Sequence, residues 1–188
     1  MTRQTKRKIL AITGRPGIGK TTLALSIADS IKEKGFVVGG FISPEIKTVR
    51  GREGFSIKNL LSGESITLAS RNKIGELTVG RYFINRESGF FISKAINDAI
   101  LSADVILLDE IGPMELKVKE GELSIISALN SGKPILATFY YRLRFVRPSV
   151  FSVISTGMVL EVNQFNRDSL MKRAKEYAGW LLYGTISN

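Results

Sequence analysis

The 188-residue chain contains no cysteine and no histidine. The first absence removes disulfides, thiol nucleophiles and thiolate zinc sites, and the second removes imidazole as base or metal ligand. Proton transfer must then fall to a carboxylate, a lysine or a tyrosine. Long apolar runs are missing too, since no stretch approaches the roughly 18 residues of a membrane span. Behind the basic residues Arg3, Lys6, Arg7 and Lys8 the apolar stretch is only Ile9 to Ile12, which reads as a first strand and not as a signal peptide. No membrane partner is expected, and the lack of Cys suits a cytoplasmic protein.

Acidic residues are outnumbered, 17 against 27 Lys and Arg, for a net charge of +10. Such a surplus raises the question of a nucleic-acid partner. The positive residues are scattered, however: Arg50 and Arg52, Arg71 and Lys73, then Arg142, Arg144 and Arg147, then Lys172, Arg173 and Lys175. No basic platform interleaved with aromatics stands out, so nucleic acid is not the favoured partner. Nothing in the sequence indicates an oligomeric state. The length suits one domain over residues 1–188 with a sizeable core.

Gly14-Arg15-Pro16-Gly17-Ile18-Gly19-Lys20-Thr21 fits the G-x-x-x-x-G-K-[ST] phosphate-binding loop, between a strand-like run (Ile9 to Thr13) and a helix-like run (Thr22 to Lys34). Triphosphate oxygens are closely spaced and negative, so a site must bring many donors near without side chains in the way. Gly14, Gly17 and Gly19 permit that approach, and the helix start adds unsatisfied N–H groups and the positive end of its dipole. Lys20 is expected to reach the β- and γ-phosphates, and the Thr21 hydroxyl to ligate Mg²⁺.

Farther along, strands are expected at Lys8 to Thr13, Phe36 to Ile42, Thr78 to Phe83, Asp104 to Leu108, Pro134 to Tyr140 and Gly157 to Val162. Helices are expected at Thr22 to Lys34, Arg86 to Leu101, Glu120 to Ser131 and Asp168 to Leu182, with Gly35 as a stop signal. Gly39 and Gly40 suggest a bulge or a close backbone approach. Glu45 to Leu61 reads as a hairpin turning near Val49 to Gly54, and Glu64 to Asn85 is otherwise irregular. Alternating strand and helix argue for a three-layer α/β fold with a mainly parallel sheet.

The short apolar strand Val105-Ile106-Leu107-Leu108 leads into Asp109-Glu110. Ligands of open α/β sheets sit beyond the carboxyl ends of strands, where the phosphate loop also lies. Asp109 is therefore expected to help hold Mg²⁺, and Glu110 to orient or deprotonate a water attacking the γ-phosphate. The expected nucleotide-contacting set is Gly14, Arg15, Pro16, Gly17, Ile18, Gly19, Lys20, Thr21 and Thr22 from the loop, with Leu107, Leu108, Asp109, Glu110, Ile111 and Gly112 around the carboxylates. Lys20 and Glu110 are the expected catalytic pair. Asp-Glu in place of Asp-x-x-Gly argues against a GTPase switch. Thr138 is a candidate γ-phosphate sensor. Arg15, Arg142, Arg144 and Arg147 are candidates for stabilising transition-state charge.

ITGRPGIGKTTL (Ile12 to Leu23), GFISPEI (Gly40 to Ile46), GREGFSIKNLLSG (Gly51 to Gly63), VGRY (Val79 to Tyr82), LLDEIGPMEL (Leu107 to Leu116) and PILAT (Pro134 to Thr138) stand in one order. In these segments the chain resembles the small nucleoside-triphosphatases of archaea and thermophilic bacteria, relatives of the cancer-related nucleoside-triphosphatase of animals. The resemblance implies a P-loop (RecA-like) fold with an inserted β-hairpin, and slow Mg²⁺-dependent hydrolysis of ATP, GTP and other triphosphates with loose base preference. Ile42-Ser43, Pro113-Met114 and Phe139-Tyr140-Tyr141-Arg142 depart from the family's usual residues and touch base recognition and the arginine. Two alternatives share the loop: a kinase passing the γ-phosphate to a small hydroxyl compound, and a nucleotide-dependent RNA-binding module.

Overall fold

The computed structural model describes residues 8–49 and 51–184. Arg3, Lys6 and Arg7 of the basic N-terminus and Arg50 of the hairpin turn lie outside the described residues.

Five strands form the parallel part of one sheet: β1 (Ile9–Thr13), β2 (Val38–Ile42), β8 (Val105–Ile111), β9 (Ile135–Phe139) and β10 (Met158–Glu161). Their order across the sheet is β10-β1-β9-β8-β2. One strand, β9, thus separates the strand leading into the phosphate loop from the one carrying the carboxylates. Successive strand residues point to opposite faces, and in β1 both sets are apolar. Ile9 and Ala11 enter one core, while Leu10 and Ile12 enter the other. Val105 and Leu107 divide from Ile106 and Leu108 in the same way. Apolar residues on both faces require cover on both faces, which makes three layers.

On one face α1 (Lys20–Lys32) packs Leu23, Ala24, Ile27 and Ile31 against the sheet, joined by α6 (Arg167–Lys172) and α7 (Ala174–Tyr183). The other face carries α2 (Glu87–Ser102), α3 (Lys119–Asn130) and α5 (Pro148–Ile154), the last entered through α4 (Leu143–Val146). Helix α1 ends at Lys32 and Gly35 follows at φ +86°, a left-handed turn that a side chain would resist. The expected closing helix is two, parted at Arg173, and α4 and α5 fill a stretch for which no helix was expected. Among the described residues no helix is long and apolar enough to cross a membrane.

The insertion is larger than a hairpin. β3 (Glu45–Thr48) and β4 (Gly51–Asn59) form the expected pair, and β4 also joins β2 antiparallel. Beyond it β5 (Ser65–Ser70), β7 (Tyr82–Ile84) and β6 (Thr78–Val79) extend the same sheet to ten strands. The strand expected over Thr78 to Phe83 is a tight hairpin, because Gly80 takes φ +57° between β6 and β7. Gly40 confirms the close approach expected of it: at φ +102°, an added Cβ would stand 2.2 Å from the Leu107 carbonyl oxygen of β8.

Candidate functional site

β1 delivers the chain into the phosphate loop at the carboxyl edge of the sheet. Gly14, at φ +147°, is pressed against the end of β10, and a Cβ there would lie 2.5 Å from the Val162 carbonyl oxygen. Gly19, at φ +110°, opens α1 in the left-handed region. Both positions need glycine for backbone reasons alone. Arg15, Pro16 and Gly17 are exposed.

β8 brings the carboxylates to the same edge. It runs three residues past its expected end at Leu108, and Ile111 still pairs with Phe139 of β9. Asp109 and Glu110 thus fall where the β8–β9 register shifts, between Leu108 and Ile111, while Asp109 keeps Ile42 of β2 as its partner. The Thr21 hydroxyl lies 3.0 and 3.1 Å from the two Asp109 carboxylate oxygens. From the intervening strand the buried Thr138 donates to Asp109 Oδ1 at 2.6 Å. Thr138, the expected sensor, thus has its hydroxyl engaged with Asp109. Lys20 Nζ stands 3.1 Å from Glu110 Oε1. Loop and carboxylates meet as two pairs, Thr21 with Asp109 and Lys20 with Glu110.

Burial sets the electrostatics of this edge. Asp109 is pushed above the ordinary carboxylate range by desolvation, against the pull of Thr138, Thr21 and Lys20. Glu110 is raised by desolvation too, and Lys20 is what opposes it. A third carboxyl completes the cluster. Glu115, 5% exposed, is raised to about 8, first by burial and then by the neighbouring Glu110. It sits there because the chain turns back after β8, with Leu116 N–H donating to the Gly112 carbonyl. Gly112 lies between the two glutamates: a Cβ on it would stand 3.1 Å from Glu115 Oε2 and 3.4 Å from Glu110 Oε2.

A cavity of about 380 Å³ opens at this point, lined by Pro16, Gly17, Lys20 and Thr21 together with Asp109 and Glu110. Leu107, Leu108 and Ile111, expected to contact nucleotide, are instead fully buried in the cores on the two sheet faces. Of the arginines, Arg147 is bound through Nε to Glu122 of α3 at 2.9 Å, and Arg144 lies over its neighbour Phe145. Arg15 and Arg142 are exposed. The sequence reading missed Arg167, whose aliphatic chain comes within 3.4 Å of the Cβ position of Gly19. It also assigned no role to Ser43, Arg52, Phe55, Tyr82 or Glu115, which line the cavity. Their signal was present, since each of them falls within a segment that carries the family resemblance.

The pattern of a family described as NTPase matches residues 9–174. Nucleoside-triphosphatase THEP1 of Sulfolobus acidocaldarius is 36% identical over 162 residues, 86% of this chain and 88% of that protein. THEP1 of Pyrococcus abyssi is 44% identical over 133 residues, 70% of this chain and 74% of its own. The crystal structure of THEP1 from the hyperthermophile Aquifex aeolicus superposes with a TM-score of 0.73 at 28% identity, covering 87% of this chain and 94% of that one. With the phosphate loop and the strand-borne carboxylates in place, and the match running through nearly all of the sheet, the chain belongs to this NTPase family.

Proposed function

We propose that the protein hydrolyses nucleoside 5'-triphosphates to diphosphate and phosphate, with Glu110 as the base that activates water. The observation that carries this reading is the Lys20–Glu110 contact of 3.1 Å, which sets a carboxylate beside the cation a γ-phosphate would meet. The loop N–H groups between Gly14 and Thr22, all but that of Pro16, which has none, and the Lys20 ammonium hold the phosphates in line. Glu110 accepts a proton from a water on the γ side. Arg142, near Tyr140 of the cavity wall, and Arg15 of the loop are the candidates for stabilising charge on the reacting phosphate. Catalysis is then positioning plus charge stabilisation.

The residues present suit Mg²⁺. Thr21 Oγ1 and the Asp109 carboxylate converge as hard oxygen donors, and among the described residues no three His, Cys, Asp or Glu side chains are arranged so that they could hold a metal ion between them. Mg²⁺ typically keeps waters and phosphate oxygens around one or two protein ligands. When bound by Thr21 and Asp109 it would neutralise phosphate charge; Thr138 serves by fixing the Asp109 carboxylate. We also read residues 1–188 as one domain, supported by the single continuous sheet, and place the protein in the cytoplasm, where triphosphates and Mg²⁺ are abundant.

The deciding experiment is phosphate release from ATP, GTP, CTP and UTP with Mg²⁺, comparing wild type with Glu110→Gln. Loss of a general base removes about 10²–10⁴ in rate. Glu110→Gln should therefore bind nucleotide and release almost no phosphate, and a variant as fast as wild type removes Glu110 from the mechanism.

A further inference from the structure

The order of strands decides which way a bound triphosphate runs. The carboxylates lie on β8, two strands to one side of β1, and β10 is the neighbour of β1 on the other side. A phosphate loop cradles the α- and β-phosphates in its backbone and places the γ-phosphate at its lysine. Lys20 stands against Glu110, so the γ end faces β8. Ribose and base then leave toward β10, and the segment that follows β10 is what they meet.

That segment, Val162 to Arg167, borders the phosphate loop at both ends. The Val162 carbonyl oxygen is 2.5 Å from the Cβ position of Gly14, and Arg167 Cδ is 3.4 Å from that of Gly19. Between these two contacts the turn is held by its own asparagines. Asn163 Oδ1 accepts from the Phe165 and Asn166 N–H groups at 2.8 and 3.1 Å. Asn166 Oδ1 accepts from the Asn163 N–H at 2.8 Å, and Asn166 Nδ2 donates to the Glu161 carbonyl at 2.8 Å. Out of this turn stands Phe165, 88% exposed, the most exposed aromatic side chain among the described residues. A single exposed apolar side chain is ordinary on a protein surface. This one is carried by a turn of defined shape, two residues from the side chain that rests on the phosphate loop, and on the side where the nucleoside leaves. Arg167 Nε donates to the exposed Asp168 at 3.2 Å, and more than half of the Arg167 side chain remains accessible.

We propose that Phe165 and Arg167 form the nucleobase subsite, where the base of the bound triphosphate stacks on the Phe165 ring with the Arg167 guanidinium beside it. The proposal rests on the reading of the loop as a nucleoside-triphosphate site. Stacking suits this position because every base has a π-face, and a guanidinium adds cation–π attraction to the same face. The Oδ1 atoms of both asparagines, which could otherwise accept from a base edge, are consumed by the turn. The subsite therefore holds purines and pyrimidines by their faces.

The test is equilibrium binding of ADP, GDP, CDP, UDP and inorganic tripolyphosphate to the full chain with Mg²⁺. Phe165→Ala should weaken all four nucleotides about tenfold or more and leave tripolyphosphate, which has no base, at its wild-type affinity. Arg167→Lys keeps the charge and loses the planar head, so it should weaken the nucleotides and spare tripolyphosphate in the same way. Phe165→Trp should retain nucleotide affinity, and its added indole fluorescence should change with ADP and not with tripolyphosphate, over the background of Trp180, the chain's single tryptophan. Nucleotide affinities unmoved by Phe165→Ala overturn the subsite. An equal loss for tripolyphosphate also overturns it, because the damage then lies in the phosphate loop. Binding is read without turnover, so a chain that binds in the expected pattern and releases no phosphate upholds the subsite and sinks only the hydrolase. Wild type that binds neither nucleotide nor tripolyphosphate sinks the phosphate-loop reading and the subsite together.

Discussion

The Lys20 ammonium and the Glu110 carboxylate stand 3.1 Å apart in the lining of one cavity, so the cation assigned to the phosphates also favours the charged form of the proposed base. Burial raises the proton affinity of Glu110, and Lys20 opposes that rise. A γ-phosphate competes with Glu110 for Lys20. As the phosphate gains the cation, Glu110 becomes a stronger base at the moment a proton must be taken.

Lys20→Ala should therefore do two separable things. Nucleotide affinity falls because a charged donor to the phosphates is lost. The titration midpoint of Glu110 moves to higher pH than in wild type, since only the opposing influence has been removed. Carboxyl carbon chemical shifts, followed through a pH titration of both proteins without nucleotide, read the second effect directly. A midpoint that stays or falls would show that Lys20 does not govern Glu110.

The Thr138 hydroxyl predicts a different kind of loss. It is buried and donates at 2.6 Å to an Asp109 oxygen that Thr21 also engages. Thr138→Val keeps the shape and removes the donor. A hydrogen bond to a charged group is worth about 1.5–3 kcal/mol, and groups that orient a metal ligand typically matter about 10–100-fold. The variant should require more Mg²⁺ for half-maximal phosphate release, by about that factor, and recover part of its rate at saturating Mg²⁺. A rate loss that Mg²⁺ does not recover would separate Thr138 from the metal and return it to the sensor role.

Where the sequence was informative, two periodicities agreed. β1, α1, β2, α2, α3, β9 and β10 each carry a strand or helix pattern bounded by Gly, Pro or charge, and each lies within a few residues of its expectation. The phosphate loop and the strand-borne carboxylates were legible because their chemistry is local in sequence. β5 was not: the segment Ser65–Ser70 is half polar, and it is pairing with β4 on one side and β7 on the other that makes it a strand. α5 was hidden by Val150, Phe151, Val153 and Ile154, residues that favour strands, although Pro148 sits at the first helical position. Glu115 was given no role from the sequence. Its burial arises from the turn folding back over Gly112, a tertiary event with no periodic signature.

That turn makes Gly112 a sensitive position. An alanine methyl would stand 3.1 Å from Glu115 Oε2 and 3.4 Å from Glu110 Oε2, so one or both carboxylates must shift by a few tenths of an ångström. Small displacements of a catalytic group can cost about 10²-fold in rate. Gly112→Ala should lower turnover by one to two orders of magnitude, roughly, with nucleotide affinity and melting temperature close to wild type. Isothermal titration with a nucleoside diphosphate and steady-state phosphate release distinguish the cases. Equal losses of affinity and rate would mean that the loop, and not the base, had moved.

Glu115 gives a prediction with a sign. Its folded pKa is raised to about 8 from an ordinary 4.5, chiefly by burial. The folded protein therefore binds more protons at this position than the unfolded chain between those two values, and stability falls as pH rises through that window. Below it the contribution is complete, and above about 8 it has gone. Asp109 and Glu110 are raised too and slope the same way, so the test is a difference. Glu115→Gln carries no titrating group and keeps the size and hydrogen-bonding capacity of the protonated acid. Thermal melts of both proteins from pH 5 to pH 9, with chelator present and nucleotide omitted, should show wild type losing melting temperature faster than Glu115→Gln as pH rises. The variant should be the more stable of the two at the alkaline end. Parallel curves would mean that Glu115 ionises as easily in the fold as out of it, and that its burial between Ser43 and Glu110 is relieved in solution.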